Sequence, residues 1–210
     1  MPTAVIRRGG RCGRNRRKAM SLRVNGEEIT AAELEAEYRR LEQTNRRSRQ
    51  GEAAAERQQQ LREQARDLAI GRRLLLQEAR RRELTVTDEQ LANGLLPLIQ
   101  AAGGAAAWTA RVRAGEINYR EVCRQLTEAL LVEEAVREIT RPIPPPGENE
   151  IAFYYARYAA ELSGNPGGEA PSLETVREKI SDRLWSERRN LALEEFIAQL
   201  RDDALIEDGQ

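Results

Sequence analysis

Residues able to make or break bonds are scarce in this chain. It holds no histidine and only two cysteines among 210 residues. Without an imidazole, Ser-His-Asp and Cys-His catalysis and histidine-ligated zinc or haem are all excluded. Cys12 and Cys123 stand in different segments. Two cysteines are too few for a disulfide framework, and a metal site would need more ligands. Cys123 sits in an apolar helical run and is expected as a buried small hydrophobe. Acid pairs such as Glu133-Glu134 and Asp202-Asp203 are plentiful. Neighbours on a helix do not face each other, however, so these pairs make no acid–base couple. Gly9-Gly10 and Gly167-Gly168 are not followed by the Lys-Ser/Thr of a phosphate loop. No catalytic residue, metal or cofactor is therefore expected.

What remains is contact chemistry. Four of the nine aromatic residues are Phe153, Tyr154, Tyr155 and Tyr158. Tyrosine rings pair an apolar body with a polar edge, which suits adaptable contacts. On a helix 154 and 158 share a side, while 153 and 155 diverge. The cluster therefore reads either as core on one side, with its hydroxyls in water, or as an accessible aromatic patch. Trp108 with Val112 is a second candidate surface. Leu95, Leu96, Leu98 and Ile99, around Pro97, are a third. Both carry the same two readings.

The elements that must position these residues come with clear start signals. Leu22 to Val24 is a short strand, ended by the turn dipeptide Asn25-Gly26. Thr30 with Glu33 forms a capping box, flanked by the staple pair Ile29 and Leu34. Thr87 with Gln90, and Val86 with Leu91, repeat the pattern. Asn118 with Glu121, and Ile117 with Val122, repeat it with Asn in place of Ser or Thr. Helices are predicted over 30–46, 51–83, 87–101, 105–114, 118–140, 148–162 and 172–201. Leu61, Ala65, Leu68, Leu75 and Ala79 form the apolar face of the long second helix. The last helix has one stripe in Leu173, Val176, Ile180 and Leu184 and another in Leu193, Phe196, Ile197 and Leu200. The break near Arg188 predicts a bend or a change of packing partner. Pro97 lies inside the third helix, which Gly103-Gly104 ends. Residues 141–147, with four prolines, read as a stiff linker. Ala204 to Glu207 is strand-like and is expected to pair antiparallel with Leu22 to Val24. The fold class is all-α: a multi-helix body with its long N- and C-terminal helices packed together and a two-stranded pairing of its ends. One helical domain is expected over 21–207.

Charge separates the tail from this body. The chain has 34 basic and 34 acidic residues, which argues against a uniformly basic nucleic-acid binder. Residues 1–18 hold seven of the cations and no acid, so the remainder is acidic. Residues 1–20 read as a disordered basic tail. It is either an extension upstream of a start at Met20 or an arm for polyanions, though without aromatics it offers charge and no stacking. Nucleic acid is thus not an expected partner. No apolar run follows the charges, as a secretory signal requires. No stretch approaches the roughly 18 apolar residues of a membrane span. A cytoplasmic location is expected for the chain as written. The run Arg80-Arg81-Arg82-Glu83 reads as solvated surface.

The order of these segments carries a resemblance. Val24-Asn25-Gly26-Glu27-Glu28-Ile29-Thr30 leads into a helix. A long helix then holds Leu74-Leu75-Leu76-Gln77-Glu78-Ala79. Leu84-Thr85-Val86-Thr87-Asp88-Glu89-Gln90-Leu91 follows, then Ala114-Gly115-Glu116-Ile117-Asn118-Tyr119-Arg120-Glu121. After the prolines stands Glu150-Ile151-Ala152-Phe153-Tyr154-Tyr155. The close is Leu173-Glu174-Thr175-Val176-Arg177-Glu178-Lys179-Ile180, then Phe196-Ile197-Ala198-Gln199-Leu200 and a final strand. Over about 21–162 and 171–207 this succession resembles the chaperone domain of the SurA-like, parvulin-type prolyl isomerase family. In that family the isomerase domain usually lies between the Tyr-Tyr helix and the last long helix. Here that interval is the short loop 163–171, and a domain takes about 50 residues or more. The parvulin site also uses histidines, which this chain lacks.

The resemblance implies an ATP-independent holdase without isomerase activity, its partners being unfolded or nascent client proteins. The three apolar sets above are then the candidate client-binding residues. A dedicated assembly adaptor for one protein partner is the alternative. Many relatives are exported, which makes the periplasm the alternative location.

Overall fold

The computed structural model describes residues 22–45, 54–162 and 171–208. The basic tail, the start of the second helix and nearly all of the loop 163–171 lie outside the described residues, as does Cys12. Among the described residues three strands and seven helices follow in the order β1 (Leu22–Val24), β2 (Glu27–Ile29), α1 (Ala31–Asn45), α2 (Ala54–Arg81), α3 (Asp88–Ala101), α4 (Ala105–Arg113), α5 (Tyr119–Thr140), α6 (Glu148–Leu162), α7 (Leu173–Asp202) and β3 (Ile206–Asp208). The chain is predominantly α-helical, with one small antiparallel sheet. It divides into two compact units, one reaching Arg66 and including 205–210, the other spanning Asp67–Ala204.

The first unit contains the sheet, in the order β2-β1-β3. β1 pairs with β3 in the register Leu22↔Asp208, Arg23↔Glu207 and Val24↔Ile206, as the two isolated strand-like runs predict. The sheet has a third strand that the sequence reading lacked: β2 pairs back on β1 with Leu22 opposite Ile29. Asn25 and Gly26 sit at φ 52° and 80°, the two positive values a tight hairpin turn demands. Asn25 also fastens β3, since its Oδ1 accepts from the Leu205 N–H at 2.9 Å. Asp208 accepts two hydrogen bonds from Arg66 Nη2, at 2.7 and 2.9 Å. Leu22, Val24 and Ile29 are buried. The Thr30 capping box closes in both directions: the Thr30 N–H donates to Glu33 Oε2 at 2.7 Å, and the Glu33 N–H donates to Thr30 Oγ1 at 3.2 Å.

In the second unit, Ala69, Ile70, Leu74, Leu75, Leu76 and Ala79 of α2 are buried. Leu68, expected on the apolar face, is half exposed. Glu78 is buried within this run, at 3% exposure. Its carboxylate accepts from Arg81 Nε and Nη2 and from Arg82 Nε, at 2.6, 2.8 and 2.6 Å. These bonds, Arg81's foremost, hold Glu78 below its ordinary range against the opposing effect of burial. The arginine run is therefore more than solvated surface: two of its members neutralise a buried acid one turn back. α2 then ends on Glu83 at φ 56°. The Glu83 N–H donates to the Arg80 carbonyl, and the Leu84 N–H to that of Ala79. This is the Schellman pattern, with glutamate where glycine is usual.

The Thr87 box on α3 is complete. At α5 only half of it forms: the Glu121 N–H donates to Asn118 Oδ1 at 3.2 Å, while Glu121 itself accepts from Arg124 and Gln125. Those partners push Glu121 down to about 2. α3 packs on α5 at Gly94, where an added Cβ would lie 2.9 Å from Leu126 Cδ1. Cys123 on α5 is half buried rather than buried, and its neighbouring thiol raises the pKa of the Tyr119 hydroxyl.

The stripe of α7 breaks where its partners change. Ahead of Arg188 it packs on α6 through Val176 and Ile180. Beyond it, Ile197 approaches Gly71 of α2, Arg201 ion-pairs with Asp67, and Phe196 lies under Arg82. Between the two halves the Pro-rich linker is docked. Trp185 Nε1 donates to the Ile143 carbonyl at 3.1 Å, Arg188 to that of Pro144 at 3.2 Å, and Arg189 to Thr140 Oγ1 at 3.1 Å. Among the described residues no helix is long and apolar enough to cross a membrane.

Candidate functional site

α6 begins at the end of the linker, where the Gly147 N–H donates to Glu150 Oε2 at 2.7 Å. That bond gives the helix a half cap and, with Arg188, keeps Glu150 below its ordinary pKa. From there the helix presents Ile151, Tyr154, Tyr155 and Tyr158 at the three- and four-residue spacing of one broad face. Ile151 is buried against Val176 and Ile180 of α7. Tyr154, Tyr155, Leu173 and Leu184 pack around these three.

The four aromatics of α6 thus have different fates. Tyr155 is an anchor: its hydroxyl donates to the Pro171 carbonyl at 2.7 Å, rather than to water as the core reading has it. Tyr154 and Tyr158 are half buried, their ring centroids 4.7 Å apart and their planes tilted by 41°. Phe153 is 69% exposed. Phe153, Tyr154 and Tyr158 line a groove between α6 and α7, completed by Leu184, Asn149, Glu150, Arg157 and Glu187. Its volume is about 520 Å³, within the range of small-ligand sites.

Charge is arranged around the rings. Arg183 lies 5.6 Å from the centroid of Tyr154, and Arg157 is at the same distance over Tyr158. Arg183 Nε donates to Glu187 at 2.9 Å, and Arg188 pairs with Glu150. The walls are thus aromatic and the rim is ionic. Among the described residues no three Cys, Asp or Glu side chains converge as a metal site. The arrangement can hold apolar side chains against ring faces while a polar backbone runs along a charged edge.

The other candidates lie elsewhere in the same unit. Trp108 and Val112 are half buried on α4. Leu96 and Leu98 on α3 are 52% and 42% exposed, and Ile99 is half buried. Leu95 is buried, which corrects its place among contact residues: it is core. Of the groove residues absent from the sequence-based set, Leu184 stands in the α7 stripe, while Glu187, Asn149, Glu150 and Arg157 have no local signal that marks them.

Residues 4–101 match the family model of the SurA-like N-terminal domain. Among solved structures, the chain is similar to one from a pair of Campylobacter jejuni proteins, the virulence factor PEB4 and the periplasmic protein Cj1289. These are described as two structurally related SurA-like chaperones. The match has a TM-score of 0.56 and 12% identity, covering 91% of this chain and all of that one. At this identity the likeness is one of fold. Among curated proteins no relative matches the sequence.

Proposed function

We propose that this chain, which matches the SurA-like N-terminal domain model over residues 4–101, is an ATP-independent holdase for unfolded or partly folded polypeptides and has no prolyl isomerase activity. A chaperone role in general accords with that domain. The observation that carries the finer reading is the groove between α6 and α7, with Phe153 69% exposed at its mouth. A large ring left in water on a helix whose other aromatics are packed is the kind of surface a non-native chain can cover. Holding then works by mass action: binding the unfolded state lowers the concentration free to aggregate. Exposed Leu96 and Leu98 on α3 offer a second apolar surface for the same task.

The absence of isomerase activity is supported by the length of the 163–171 loop and by the lack of any histidine. We propose residues 21–207 as one helical chaperone region, within which two compact units are distinguished. For location, the cytoplasmic expectation gains no support from the relatives. Cj1289 is called a periplasmic protein, and the periplasm is the location proposed here. The test pairs an aggregation-suppression assay on several unrelated unfolded proteins with an isomerisation assay on a proline peptide. Suppression of one protein alone would favour the dedicated-adaptor alternative.

A further inference from the structure

The carboxylates at the groove are already satisfied. Glu150 gives one oxygen to the Gly147 N–H and the other to Arg188. Glu187 accepts from Arg183. Arg157 differs. Its guanidinium rests over the Tyr158 ring, and among the described residues no carboxylate pairs with it. Among the described residues the lining holds two glutamates, each paired with an arginine of α7, and Arg157, whose guanidinium is presented at the rim beside Tyr158. A guanidinium over a ring face is held in place without losing its hydrogen-bonding edge.

We infer that the α6–α7 groove selects segments that combine an aromatic or large aliphatic side chain with a nearby carboxylate, and that Arg157 is the residue that reads the acid. The inference rests on the holding role proposed above and adds a specificity to it. The apolar side chain enters between Phe153 and the tilted Tyr154–Tyr158 pair. The Asp or Glu carboxylate then takes the outer edge of Arg157 as a charge-assisted pair. A segment with Lys or Arg in that place meets the Arg157 guanidinium instead. The groove's volume of about 520 Å³ fits a short stretch of extended chain, not a folded element.

The test uses the full chain and three labelled peptides identical except at one position beside a central Phe, occupied by Glu, Gln or Lys. Binding is read by fluorescence anisotropy at low salt and again at high salt. The Glu peptide should bind about fivefold more tightly than the Lys peptide, the scale of one exposed charge pair. Salt should narrow the gap. Arg157→Glu should reverse the order and Arg157→Gln should flatten it, both with unchanged helix content and melting temperature. Phe153→Ser should weaken all three peptides alike. If the wild-type chain prefers the Lys peptide, or if Arg157→Glu leaves the Glu-to-Lys ratio as it was, the assignment to Arg157 is wrong while holding stands. If no peptide binds yet the wild-type chain suppresses aggregation, the groove is not the site. If aggregation suppression itself is absent, the holding role fails.

Discussion

Phe153 and Ile180 lie on the two sides of one helix pair, and replacing each should move a different observable. Phe153 is 69% exposed. Of a side chain that can bury about 200 Å², roughly 60 Å² is covered. At about 25 cal/mol per Å² its loss costs at most about 1.5 kcal/mol. Serine and phenylalanine have similar helix propensity, so the backbone adds little. Ile180 is 1% exposed, inside the cluster with Ile151 and Val176. Ile180→Ala should cost about 2–5 kcal/mol. In a chain of this size one kcal/mol moves the melting temperature by about 2–4 °C. Phe153→Ser should therefore shift the melt by no more than about 6 °C, by those same scales, and lose much of its aggregation suppression. Ile180→Ala should shift the melt further, with suppression per folded molecule retained at a temperature where the variant is still native. The assays are thermal denaturation by circular dichroism and light scattering of an unfolded client. A Phe153→Ser chain that holds clients as well as wild type would refute the groove as the client surface. One that melts far below wild type would refute the reading of Phe153 as free surface.

Three other perturbations test the fold that supports the groove. Glu83→Gly relieves a left-handed conformation at φ 56° and should stabilise the chain by about 0.5–1 kcal/mol in urea unfolding; a loss of stability would mean that Glu83 makes a contact worth more than the strain. The Arg81 and Arg82 hydrogen bonds hold the folded Glu78 carboxyl below its ordinary value of 4.5. Its contribution is therefore present above about 4.5, the value it regains on unfolding, and lost as pH falls through the lower folded value. The stability gap between wild type and Glu78→Gln should be open at pH 7 and close in acid, and a gap that widens in acid would reverse the sign of the account. Truncation after Pro171 removes α7 and β3, uncovers Ile151 and strips β1 of one partner, so the truncated chain should aggregate or melt without cooperativity; a soluble chain with an unchanged melt would contradict this.

Local chemistry was legible in the sequence wherever one short stretch decided the outcome. Thr30-Glu33 and Thr87-Gln90 close as boxes because both partners lie within one turn. Asn118-Glu121 closes only halfway because Arg124 and Gln125 compete for the same carboxylate from the next turn. β2 carries little signal of its own because Glu27-Glu28 are poor strand formers; the hairpin turn and the pairing to β1 impose the strand. The arginines after α2 read as surface until the burial of Glu78 three and four residues earlier gives two of them a partner. The break in α7 at Arg188 was visible, but its cause, the docked Pro-rich linker, depends on contacts some 40 residues apart. The groove is of the same kind. Its aromatic wall stands out in composition, whereas Leu184 and Glu187 join it only once α7 lies against α6.

The central claim is that the chain holds unfolded protein and does not isomerise prolines. One measurement meets it directly: a single preparation assayed in parallel for suppression of client aggregation and for catalysis of a proline-containing peptide. Uncatalysed isomerisation takes tens to hundreds of seconds, so even weak catalysis would be visible. The account predicts that aggregation falls in a dose-dependent way without ATP while isomerisation proceeds at its uncatalysed rate. Isomerisation that accelerates in proportion to the protein, or aggregation that proceeds unchanged at a molar excess of it, would contradict the account.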